Sequence, residues 1–284
     1  MSGGAAGPRR PRELDSSDVV LSHFSLAPHH PIEDRVASAA AAGFSGIGLY
    51  TEDYRQLESD GFAPSGLRDL LDEHGICLAE IEVVRGWARG GPDDIEAVAW
   101  RMADEFECRY LQAIGPYEGT IDDAGRAFAG LCDRAGEHGL VVGIEFLPFT
   151  NIVTAADALD IAERADRPNG GVCVDIWHHA RGAADLDLIR ALPAEMVRAV
   201  QMNDGPLVPE NDDYFRDCLD NRVAPGAGAF DAVGFVRLLQ GMGVQVPWSV
   251  EVCCAPAWGD PAGERVAALA DAMRTVLAAA APTN

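Results

Sequence analysis

Four residues of this 284-residue chain could together hold a metal ion: Glu145, Asp175, Gln201 and Glu251. Each sits near the end of a short apolar run that reads as a β-strand: VVGIEF, GVCVDIWH, VRAVQMND and WSVEV. A lone carboxylate at a strand end means little. Four oxygen-bearing side chains at successive strand ends suggest one site, because a parallel barrel gathers those ends on one face. A hard divalent cation needs several oxygen ligands on rigid elements, and water or substrate oxygens can complete an octahedron. No Cys ligand is implied. One Mn²⁺ ion is therefore expected first, with Mg²⁺ or Co²⁺ as the other candidates, rather than a structural Zn²⁺.

Other polar residues gather near the same strand ends. His178 follows Asp175 by three positions and could act as general acid or base, or support a ligand from outside the coordination shell. Arg222 lies in a long loop just before Pro225-Gly226-Ala227-Gly228 and suits an oxyanion or a substrate hydroxyl. Glu80 and Glu82 alternate on one face of the third strand. Glu82 is expected to contact substrate, and Glu80 to pair with an Arg inside the barrel. Trp87 is a candidate pocket wall. His23 in the first strand and Gln112 in the fourth are candidate substrate contacts.

Composition narrows the chemistry. The formal charge of -23 makes nucleic acid and anionic membrane poor partners. All 22 basic residues are Arg. Without Lys there is no Schiff-base lysine, no anchored pyridoxal phosphate and no P-loop lysine. Carbonyl chemistry must then rely on a metal or on hydrogen bonds. Seven scattered Cys without a CxxC pair point to reduced thiols and a cytoplasmic protein, with Cys77, Cys173 and Cys253 in predicted strands. No transmembrane stretch or secretory signal is read. Residues 1–17 are expected to form a flexible tail and 18–284 a single domain.

The elements that must position these side chains follow a regular alternation. Strand-like runs at 19–27, 44–50, 75–84, 109–115, 140–147, 171–177, 197–204 and 247–254 each precede a helical pattern. The helices fall near 31–42, 64–74, 92–105, 120–138, 153–166, 184–192, 231–242 and 261–280. Gly closes several helices just before the next strand, as in EHGIC, EHGLV and QGMGV, where it supplies the left-handed cap. Continuous apolar strands suit a sheet covered on both faces. Eight right-handed βα units predict a single (β/α)8 barrel of the α/β class. A doubly wound sheet comes second, and no GxGxxG supports a dinucleotide fold. The connection 204–230 is the main irregular segment, with Asp212 and Asp213 read as solvated loop charges.

At this point the chain resembles the xylose-isomerase-like TIM barrels, over nearly its whole length from Val19 to the last helix. The matching motifs are AAAAGFSGIGLY, GIEFLP with Glu145, VDIWHHARG with Asp175 and His178, VQMND with Gln201, RVAPGAGAFD with Arg222 and WSVEV with Glu251. The resemblance implies that Glu145, Asp175, Gln201 and Glu251 are the metal ligands. It implies a small polyhydroxylated carbonyl substrate and a homodimer or homotetramer. Its leading implication is an isomerase or epimerase, in which Glu145 or Glu251 removes an α-proton through a metal-stabilised enediolate. The alternative is a dehydratase of the 3-dehydroshikimate or inosose type, with His178 helping a hydroxyl to leave. A non-catalytic sugar-binding barrel is third. Two positions depart from the ketose epimerase pattern: Gln201 stands where those enzymes usually place His, and Ala227 replaces the acid of PGEG. The His-rich set of the endonuclease IV branch is missing, so DNA repair is not expected.

Overall fold

The apolar runs become eight parallel strands, seen in a computed structural model that describes residues 13–89 and 93–282. They are β1 (Val19–Leu21), β2 (Gly46–Tyr50), β3 (Cys77–Val84), β4 (Tyr110–Ile114), β5 (Val141–Glu145), β6 (Gly170–Asp175), β7 (Val197–Met202) and β8 (Trp248–Val250). Each pairs with its sequence neighbour, and β8 closes on β1, giving a (β/α)8 barrel. Helices α1 (Ile32–Ala41), α2 (Thr51–Ser59), α3 (Pro64–His74), α4 (Asp94–Phe106), α5 (Ile121–Glu137) and α6 (Ala155–Ala165) cover the first half. Helices α7 (Ile176–Arg181), α8 (Leu186–Arg190), α9 (Tyr214–Asp220), α10 (Ala232–Met242) and α11 (Ala262–Ala280) follow.

Local chemistry sets the helix ends. Gly75 (φ 68°) and Gly243 (φ 86°) close α3 and α10 in the left-handed region that glycine adopts without Cβ strain. Thr120 with Asp123 and Thr154 with Asp157 form capping boxes that start α5 and α6. The main apolar core lies between strands and helices, where Phe128, Leu131, Ile144 and Val200 are fully buried. Inside the barrel the apolar packing shrinks to Tyr110, Cys173 and Ala199. Above that layer the lumen is polar. Gly48 makes room there: a Cβ at this position would stand 1.7 Å from Glu82 Oε1.

Several elements differ from the sequence expectation. β1 ends at Leu21 instead of residue 27, because Ser22 Oγ accepts the Phe24 N–H at 3.3 Å and turns the chain into a 3-10 helix, His23–Ser25. β6 ends at Asp175, whose side chain caps α7 by accepting the Trp177 N–H at 2.6 Å. His178 therefore sits on a helix. The segment 204–230 contains α9, and Asp213 caps it through the N–H groups of Phe215 and Arg216. Helix α2 was not expected. Cys253 falls beyond β8. Residues 1–12 of the expected tail lie outside the described residues, while the Ser16 carbonyl accepts from Trp248 Nε1 at 3.0 Å. No disulfide forms among the described residues, and no helix among them is long and apolar enough to cross a membrane.

Candidate metal centre

The strand register lifts the four predicted ligands onto the C-terminal face of the barrel. Asp175 pairs with Gln201 across β6 and β7, and Glu145 ends β5 opposite Ile114. Glu251 directly follows β8, and its N–H donates to the Met202 carbonyl at 3.0 Å. All four are buried, with 0 to 6% of their surface exposed. Glu145, Asp175 and His178 each offer a ligand atom within 4.8 Å of the others, so these three could hold a metal ion. Glu251 stands outside that trio and turns toward Arg222. The Gln201 amide oxygen accepts from Cys173 Sγ at 3.4 Å.

Each of the three carboxylates has one oxygen engaged by the protein and one left over. Glu145 Oε2 accepts from Gln112 Nε2 at 2.7 Å. Asp175 Oδ1 caps α7 and accepts from Asn203 Nδ2 at 2.9 Å. Glu251 Oε1 faces Arg222 at 3.5 Å and Cys253 Sγ at 3.7 Å. Glu145 Oε1, Asp175 Oδ2 and Glu251 Oε2 are buried without a formed hydrogen bond. Two of these also have a cationic or imidazole nitrogen close by, with His178 Nε2 3.1 Å from Glu145 Oε1 and Arg222 NH1 3.2 Å from Asp175 Oδ2. The nitrogens are near enough to attract but poorly directed for a hydrogen bond. Buried carboxylate oxygens left in this state are costly, and a coordinated cation removes the cost. The four predicted ligands offer only oxygen, a donor set that fits a hard divalent ion. Burial pushes the Glu251 carboxyl well above the usual range; Arg222 opposes this, while Glu145 and Asp175 add to it.

Around His178 the protein builds a cage. Its Nδ1 lies 2.5 Å from the Tyr214 hydroxyl on α9, and the two rings stack. Its Nε2 faces Arg222 NH2 at 3.2 Å, Glu145 Oε1 at 3.1 Å and Asp175 Oδ2 at 3.6 Å. Nε2 therefore stands between one guanidinium and two carboxylates. Arg222 is 1% exposed and stacks near Trp177.

The opposite side of the lumen is acidic as well. Ser249 Oγ donates to Glu80 Oε2 at 2.7 Å, so a serine takes the place of the expected Arg partner. Burial raises the Glu80 carboxyl to about 7, against the Ser249 hydrogen bond and with help from Glu145. Glu82 is fully buried and accepts from Ser22 Oγ and the His23 N–H, both at 3.0 Å. Burial and then the Glu80 charge hold its carboxyl well above the usual range. His23 pairs with Asp53 at 3.0 Å. Gln112 holds the carboxylate of Glu145, one of the candidate ligands. Trp87 stands apart from the group: it packs edge-on against Phe128 and donates to the Ile114 carbonyl at 2.9 Å.

Four supporting features were not picked out from the sequence: Tyr214, Asp204, Asp53 and the Arg181–Asp217 pair that holds α9 at 2.6 Å. Asp204 accepts the N–H groups of Gly205, Phe230 and Gly226, and its backbone bridges Val223. It thereby fixes the loop that carries Arg222. An acid immediately after a strand, facing a Gly-rich PGAG, was the available signal.

Comparison with known proteins agrees with this architecture. Residues 36–276 match the profile of a family described as xylose isomerase-like TIM barrel. Two 3-dehydroshikimate dehydratases, from Pseudomonas aeruginosa and Pseudomonas putida, are 28% and 25% identical over 236 residues. Each alignment covers 78% of this chain and 36% of the relative, so the chain spans about a third of the length of these relatives. Among solved structures, the IOLI protein with a binding zinc atom superposes with a TM-score of 0.82 at 16% identity, covering 94% of this chain and all of the other. A xylose isomerase-like TIM barrel/4-hydroxyphenylpyruvate dioxygenase fusion protein gives 0.78 at 22% identity, covering 92% of this chain and 42% of the fusion. A D-allulose 3-epimerase from Methylomonas sp. gives 0.69 at 15% identity, covering 93% of this chain and 99% of the other. Likeness at this level of identity speaks for the fold.

Proposed function

Because this chain belongs to the xylose isomerase-like TIM barrel family, we propose that it is a divalent-metal-dependent dehydratase acting on a small polyhydroxylated carbonyl compound. The observation that carries this reading is the placement of His178 Nε2 3.1 Å from Glu145 Oε1, which puts an imidazole beside a carboxylate in one buried site. Loss of water needs such a pair, one group to take a proton from carbon and one to give a proton to the departing hydroxyl. The two curated relatives carry the dehydratase name, and Gln201 in place of His supports the same choice.

Glu145, Asp175, Gln201 and Glu251 would hold the metal, with Mn²⁺ as the first ion to try. When bound, the ion would polarise the substrate carbonyl and acidify the neighbouring C–H. Glu145 or Glu251 takes the α-proton. The C–H electron pair becomes the new C=C bond as the β-carbon–oxygen bond breaks, and His178 supplies the proton with which the hydroxyl leaves as water. Arg222 holds the carboxylates in place and offers N–H groups to substrate oxygen.

The test is incubation of the protein, loaded with Mn²⁺, with 3-dehydroshikimate. The expected result is an ultraviolet-absorbing dehydrated product. Glu145→Gln and Glu251→Gln should each lower turnover by roughly 10²-fold or more. Near-normal activity in either variant refutes that residue's role. A second reading, isomerisation or epimerisation of a sugar, draws on one feature: Glu145 and Glu251 enter from β5 and β8, three strands apart, and could address opposite faces of one carbon. Deuterium uptake at the α-carbon from D₂O without loss of water would select it. Absence of metal binding together with absence of turnover would leave a sugar-binding barrel.

A further inference from the structure

We propose that His23 and Asp53 form a subsite that reads a hydroxyl group of the substrate by accepting a hydrogen bond from it. The inference rests on the small-polyol reading above and adds which kind of group the β1–β2 side can take. His23 is 6% exposed and borders a cavity of about 160 Å³. Phe24, Tyr50, Trp258 and Cys253 also line that cavity. Cys253 ties it to the metal centre, since its Sγ lies 3.7 Å from Glu251 Oε1. The space thus adjoins the centre and is walled by aromatic rings, an arrangement that suits the carbon face of a polyhydroxylated ring.

The hydrogen-bond roles of the imidazole are fixed by its neighbours. Nε2 faces Asp53 Oδ2 at 3.0 Å, while Nδ1 is buried with no partner. The groups that bear on the ring from the packed elements are Asp53 on α2, Arg35 on α1, Glu82 on β3 and Tyr50 on β2. Burial depresses the His23 pKa below the ordinary value, and Asp53 opposes this only in part. The hydrogen bond from His23 lowers the Asp53 pKa, so that carboxylate is ionised. A neutral ring that donates from Nε2 to a carboxylate keeps a lone pair on Nδ1. That atom can accept but not donate. A hydroxyl has a proton to offer it, whereas a carbonyl or carboxylate oxygen does not. The ionised Asp53 close by further excludes a substrate carboxylate from this side.

The experiment is ¹⁵N-histidine NMR of the full chain, with His23→Phe used to identify the His23 signal. The expected result is a neutral ring at pH 7 carrying its proton on Nε2. Addition of 3-dehydroshikimate to the Mg²⁺-loaded protein should shift the Nδ1 resonance. In turnover, His23→Phe should raise KM about tenfold, the loss expected for one hydrogen bond to substrate, with a smaller fall in kcat. Asp53→Asn, a milder change, should alter the tautomer and raise KM in the same direction. A proton on Nδ1, a cationic ring at pH 7, or an unchanged KM in both variants overturns the subsite. If the wild-type protein does not turn over 3-dehydroshikimate, the dehydratase reading fails on its own. The subsite is then decided by myo-inositol: a shift of Nδ1 upholds it, and no shift overturns it.

Discussion

At the scale of single residues, the site divides the two oxygens of each carboxylate between structure and chemistry. The engaged oxygen of Glu145, Asp175 or Glu251 fixes the side chain, and the other remains for a cation. Arg222 is the counter-charge that makes this arrangement tolerable without metal. Replacing it with Leu leaves Asp175 and Glu251 uncompensated and should cost about 3–5 kcal/mol in urea unfolding of the metal-free protein. Saturating Mg²⁺ should recover part of that loss, because the ion binds only the folded site. Tyr214 touches the site through His178. Tyr214→Phe removes the hydroxyl at Nδ1 and should lower kcat about tenfold with KM nearly unchanged, and it should displace the pH–rate profile. A variant with normal kcat and an unmoved profile would remove Tyr214 from the machinery.

At the scale of elements, the loop after β7 decides how well the site is assembled. Asp204 binds three backbone N–H groups and Arg181 locks α9 through Asp217, with Arg181 also lying 4.2 Å over the Trp177 ring. Asp204→Ala should cost about 3 kcal/mol, the value of several hydrogen bonds to one carboxylate. Hydrogen exchange should quicken at 223–230 more than in the strands. Uniform loss of protection would instead mark a global effect. The strands and most helix ends were legible in the sequence because burial on both faces makes Val- and Leu-rich runs and Gly marks the helix stops. The element α9 was not legible: seven residues, YFRDCLD, expose Phe215 and show no clear apolar stripe. β1 was overread because Ser22 breaks an apolar run through its side chain, a local hydrogen bond that hydropathy does not register.

At the scale of the molecule, the same limit applies to the site. Glu145, Asp175, Gln201 and Glu251 could be picked out because they repeat at one position along successive βα units. The pairs His178–Tyr214 and His23–Asp53 could not, since each joins residues 36 and 30 positions apart through the fold alone. Glu80 carries a consequence for the whole domain. Its folded-state value of about 7 lies above the unfolded value near 4.5. The folded state therefore holds a proton more tightly, and in the metal-free protein stability should decline as pH rises from about 4.5 to 7. Glu80→Gln should flatten that decline and gain about 2 kcal/mol at pH 8, measured by urea unfolding. An unchanged slope would show that solvent reaches the lumen. The charge of -23 should also draw divalent cations toward the barrel mouth, so metal affinity should weaken as NaCl is raised.

The half-engaged carboxylates have a further consequence for how the protein would be supplied with its ion. A socket whose walls took shape only around the metal would have to order as the metal entered. Here Gln112, Asn203 and the α7 backbone hold the candidate ligands through bonds that do not involve an ion. Loading should then require no folding step, and an ion should be exchangeable for another of similar size. Preference among divalent ions then rests on the hard oxygen ligands and on which ion is available, more than on raw affinity. The bound ion should then reflect the cellular pool that met the protein, and purification from cells grown with different metal supplements should yield correspondingly different occupants.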